Sequence, residues 1–122
     1  WIVGAKENSE RMQALSALEG NVQTWVFPQE SSEKVDLAAL MGELARQGCN
    51  EVQVEAGFKL NGALVHAGLV DELLVYLAPT LMGEAQGMVH LPALSDLTLA
   101  QRLSFHQMTQ VGEDLRVLAR LH

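Results

Sequence analysis

Cys49 is the only cysteine among 122 residues. The chain can therefore form no internal disulfide and no structural zinc site of the multi-cysteine kind, and a reducing cytoplasm is the setting that fits. Basic residues are scarce too: eight Lys and Arg stand against fifteen Asp and Glu, a formal net charge of −7. Neutralising a nucleic-acid backbone needs clustered cations, so nucleic acid is excluded as a partner. A phosphorylated small molecule is not, since it needs only a local group of donors. No apolar stretch approaches the roughly 20 residues that cross a bilayer. Residues 1–5 lack the basic start and the length of a signal peptide. His66, His90, His106 and His122 are far apart in the chain, and no HExxH, no His-x-Glu with Pro-Cys-x-x-Cys and no Gly-x-Ser-x-Gly occurs. No metal is expected, and the four histidines read as surface or hairpin residues.

What is present is an ordinary globular composition, 48% hydrophobic and 19% charged, enough for one domain with a core. Residues 1–5 read as a short apolar strand. Asn8 or Ser9 can cap a following helix that carries Met12, Leu15 and Leu18 and stops at Gly20. Residues 22–27 form the next expected strand, ended by Pro28. After a polar loop, Asp36 caps a helix whose Leu37, Leu40, Met41 and Leu44 fall at i, i+3, i+4 and i+7, with Gly48 past its end. Residues 50–54 are expected as a third strand, followed by a helix with Leu60, Ala63, Leu64 and Ala67 on one face and Gly68 as its stop. Residues 73–78 are apolar at almost every position, which predicts a strand covered on both faces.

This alternation predicts an α/β fold, a mostly parallel sheet flanked by helices. After Pro79 the pattern changes. Residues 80–95 read as an irregular excursion, and residues 103–111 and 115–121 flank Gly112-Glu113-Asp114 as a C-terminal antiparallel hairpin. The chain begins without a methionine and directly inside an expected strand, which suggests part of a longer protein.

The chemistry is expected at Glu55-Ala56-Gly57, between the third strand and the third helix. A glycine at such a turn admits a phosphate close to the backbone, and the N–H groups and dipole of the helix start attract it. Glu55 lies at the carboxyl end of a strand, where open α/β sheets bind ligands. Gly57-Phe58-Lys59-Leu60-Asn61-Gly62 matches neither the three-glycine dinucleotide fingerprint nor a P-loop. The plain alternative is that Gly57 makes a tight turn and Gly62 allows close helix packing on the sheet. Asp71 and Glu72 read as a solvated pair or a cap, Tyr76 as packing, and Cys49 as a small buried residue. Thr80 to Gly83 is either a source of donors or only a loop.

Val54-Glu55-Ala56-Gly57, then Leu60-x-Gly62-Ala63-Leu64-x-x-Ala67-Gly68-Leu69-Val70-Asp71-Glu72-Leu73 and Tyr76-x-Ala78-Pro79-x-Leu81-x-Gly83, resembles the reductase domain of the bifunctional riboflavin-biosynthesis deaminase/reductase. The continuous likeness covers about residues 36–83, and Val111-Gly112-x-Asp114 extends it to the closing hairpin. The resemblance implies a dihydrofolate-reductase-like fold and NADPH as cofactor. The implied reaction reduces the ribosyl group of a phosphoribosylamino-pyrimidine, a phosphorylated aminopyrimidine substrate, to its ribityl form. It implies that Glu55 binds substrate, that Gly57, Phe58, Lys59, Leu60, Asn61, Gly62 and Ala63 hold the cofactor, and that the protein is a homodimer. It assigns no catalytic residue. On this reading residues 1–122 are the C-terminal portion of one reductase domain, without the deaminase domain and without the start of the reductase domain. The alternative is a non-catalytic nucleotide-binding or assembly module on the same scaffold.

Overall fold

The structure, a computed structural model, describes residues 1–18, 20–30 and 32–122. It divides into two compact units, residues 1–53 and 54–122.

In the first unit, β1 (Ile2–Gly4) and β2 (Thr24–Val26) form a parallel pair, with Val3 opposite Trp25. Aromatic rings reinforce it. Trp1 stacks on Trp25 at 4.6 Å between ring centroids, and Phe27 meets Trp25 edge-on at 6.1 Å. α1 (Ser9–Ser16) starts where Asn8 Oδ1 accepts the Arg11 N–H at 2.9 Å. α2 (Leu37–Arg46) starts where Asp36 Oδ1 accepts the Ala39 N–H at 2.9 Å, and its expected apolar face is half-buried. It ends in a Schellman motif: Gly48 takes φ +87°, Cys49 N–H donates to Leu44 O at 3.0 Å and Gly48 N–H to Ala45 O at 3.0 Å. Half-buried Cys49 is the residue that closes this cap.

The second unit holds α3 (Phe58–His66) and an antiparallel sheet ordered β3-β5-β4, from β3 (Glu72–Leu77), β4 (Leu103–Val111) and β5 (Asp114–Leu121). The β4–β5 turn falls where expected. Val111 pairs with Asp114, and Gly112 has φ +64° while Glu113 does not enter the left-handed region, as a two-residue type II′ turn requires. The register shifts between Phe105 and Gln107, leaving His106 as a β-bulge. Phe105 thereby sits opposite Ala119 and Met108 opposite Val117, so both apolar side chains reach the face that buries Val117 and Ala119.

Three expected features differ. Residues 50–54 join no ladder, because a strand needs a partner and apolar β-branched composition alone does not provide one. β3 is covered on one face only: Leu73 and Val75 are half-buried, whereas Leu74 and Tyr76 are 52% and 53% exposed. This is the alternation of an antiparallel sheet, and it removes Tyr76 from a packing role. The buried residues of α3 are Gly62, Leu64 and Val65, while Leu60 is 44% exposed. The covered face is turned from the expected one because Gly62 lies against the main chain of His90.

Candidate functional site

α3 begins at Gly57, whose φ of −85° and ψ of 171° are ordinary extended backbone, and no atom lies within 4 Å of where a β-carbon would stand. Neither conformation nor packing calls for glycine there, so a tight turn does not account for it. The space above the helix start is open. The helical ladder opens with Asn61 N–H donating to Gly57 O at 3.1 Å, which places the amides of Phe58, Lys59 and Leu60 ahead of it. Those amides carry the positive end of the helix dipole.

A cleft of about 360 Å³ lies at this helix start, lined by Gly57, Phe58, Lys59, Leu60 and Gln86. Four of the expected cofactor residues are thus brought together. Exposed Glu55 precedes them in extended chain and is not among the lining residues. Ala63 is exposed, Gly62 is buried, and Asn61 turns its side chain to main-chain carbonyls. The plain reading of Gly62 as a close-packing glycine holds, with a loop rather than a sheet as its neighbour: a β-carbon there would come 1.9 Å from His90 O.

Residues 86–90 were not legible as part of this site. His90 N–H donates to Phe58 O at 3.0 Å, its ring lies 4.9 Å from that of Phe58, and Gln86 reaches the cleft. The contacts span about thirty positions, and nothing local in the sequence announces them.

A larger cavity of about 610 Å³ lies beyond the other end of α3, lined by Val65, Gly68, Val70, Asp71, Glu72, Gln101, Arg120, Leu121 and His122. Two of its charged residues are already paired: Arg120 Nε donates to Glu72 Oε1 at 2.7 Å, directly across the ladder. Size therefore does not single it out over the helix start. Asp71 contributes its carbonyl to Leu121 N–H at 3.0 Å. All four histidines are exposed, and in residues 80–83 Leu81 and Met82 face solvent. Among the described residues no group of three or more His, Cys, Asp or Glu side chains could hold a metal ion, and no helix is long and apolar enough to cross a membrane.

The chain is similar over 95 residues, at 44% identity, to the riboflavin biosynthesis protein RibD of Escherichia coli, covering 77% of this chain and 26% of that protein. It is 28% identical over 96 residues to the 5-amino-6-(5-phosphoribosylamino)uracil reductase of Buchnera aphidicola, covering 78% of this chain and 46% of that one. The chain spans about a quarter of the length of the RibD proteins it matches. Among solved structures, RibD of Acinetobacter baumannii superposes with a TM-score of 0.69 at 25% identity, over 83% of this chain and 27% of that one. The fold is accordingly dihydrofolate-reductase-like α/β, with a C-terminal antiparallel hairpin. The family model described as the RibD C-terminal domain matches residues 1–117, and the chain belongs to that family.

Proposed function

We propose that residues 1–122 are the C-terminal portion of a reductase domain that takes NADPH and reduces the ribosyl group of 5-amino-6-(5-phosphoribosylamino)uracil to the ribityl form in riboflavin biosynthesis. The observation that carries the reading is the uncovered start of α3 at Gly57, with Lys59 and three leading amides around a cleft. That donor set suits a pyrophosphate. The names of relatives, among them a reductase of this pyrimidine, support the same substrate. Gly57 to Ala63 would hold the cofactor, and Glu55, two residues before the helix cap, would bind the pyrimidine. NADPH, when bound, supplies the hydride to the first carbon of the sugar, and the protein's part is alignment. A homodimer belongs to the same proposal on the strength of the family resemblance, and a cytoplasmic setting on the single cysteine.

The test is NADPH-dependent ribosyl reduction by the full-length protein as encoded, with and without Glu55→Gln. Loss of a charged hydrogen bond to substrate is expected to lower kcat/KM by about 10- to 100-fold. Unchanged turnover in the variant would reduce Glu55 to a structural residue. An absence of reduction in the unaltered protein, with dinucleotide binding retained, would favour a non-catalytic module instead.

A further inference from the structure

We infer that residues 86–90 form a strap across the first turn of α3, that Asn61 is the positioning residue fastening it, and that Gln86 is a dinucleotide contact the strap delivers. The inference rests on the reading that the helix start takes NADPH, and it divides the work within that segment.

Asn61 has no donor left for an anion. Its side-chain nitrogen donates to Ala56 O and to Met88 O, both at 3.1 Å, and a primary amide carries only two N–H bonds. Both partners are carbonyl oxygens, so the amide must face them with its nitrogen and its orientation is fixed by chemistry. The backbone N–H of Asn61 is bonded to Gly57 O. What remains is an acceptor oxygen, which a phosphate would repel. The residue instead ties the carbonyl just before Gly57 to a loop 27 positions later.

Two further contacts fix the strap. His90 N–H bonds to Phe58 O at 3.0 Å, with the two rings 4.9 Å apart and inclined at 59°. Gly62 permits this approach, since a β-carbon would stand 1.9, 2.6 and 2.8 Å from the O, C and N of His90. Gln86, the first residue of the strap, is among the described residues the one that lines the cleft from outside the α3 start. Its carboxamide carries two N–H donors.

The test uses the full-length protein, NADPH as titrant, and hydrogen exchange at the His90 amide. Asn61→Ala is expected to raise the Kd and KM for NADPH about three- to tenfold, as for loss of a hydrogen-bonded support, with kcat much less affected. Exchange at His90 should quicken in parallel. Gln86→Ala, on an exposed side chain that carries no part of the fastening, is expected to weaken NADPH by a similar factor and leave His90 exchange unchanged. Unaltered affinity in Gln86→Ala would overturn the contact. Asn61→Ala with weakened affinity but unchanged His90 exchange would make Asn61 a direct ligand and overturn the strap, as would faster exchange with unaltered affinity. Failure of the unaltered protein to bind NADPH would bring down the proposed function as well, whereas binding that ignores both substitutions would overturn this inference alone.

Discussion

Gly62 and His90 are in such close main-chain apposition that a single added methyl group at Gly62 would fall 1.9 Å from the His90 carbonyl oxygen. Gly62→Ala must therefore displace backbone rather than a flexible side chain, at a cost of about 1–3 kcal/mol. Gly57→Ala meets no atom within 4 Å and keeps an accessible φ. It should cost only about 0.5–1 kcal/mol, through a poorer helix cap. Urea denaturation of both variants measures the difference. Equal losses would mean that Gly62 is not closely packed.

The cap of α2 is a second point of leverage. Asp36 satisfies the Ala39 amide, and its carboxylate also suits the positive end of the helix. Asp36→Ala is expected to destabilise the first unit by about 1 kcal/mol, and Asp36→Ser to recover most of that. Amide exchange at Ala39 and Leu40 reports the change directly.

Asp96 provides a pH test. Its carboxylate accepts hydrogen bonds from Thr98 N–H and Thr98 Oγ1, both at 2.7 Å. The backbone bond first, and the hydroxyl second, hold its pKa below the ordinary 3.8. A depressed carboxylate stabilises the fold fully above its unfolded value, about 3.9, and that contribution disappears as pH falls through the lower folded value. The short 3₁₀ turn Leu97–Leu99 should thus loosen only in that acidic window. NMR titration of the Thr98 amide follows it, and Asp96→Asn should flatten the response.

How far the sequence could be read varies with the range of the forces involved. α2 was legible because Asp36, four spaced apolar residues and Gly48 all act within a few positions of one another. The hairpin was legible because Gly112 supplies the one backbone conformation its turn requires. Residues 50–54 misled because ladder formation depends on a neighbour that composition does not name. The covered face of α3 misled for a related reason: Leu60 and Ala63 keep the helical period, but a glycine 28 positions before its neighbour His90 decides which side is covered. At the site, the start of a helix after Gly57 was legible and Gln86 was not, since its place depends on the same distant contact.

The unpaired His106 has a reach beyond its own position. Upstream of it the outward and inward sides of β4 are set by one parity of the chain, downstream by the other, so this lone supernumerary residue works as a phase shifter between Phe105 and Met108. Excising it would turn β4 into an evenly alternating ribbon with Phe105, Gln107 and Met108 still opposite Ala119, Leu118 and Val117, whereas adding a second such residue would send every side chain on one flank to the opposite side.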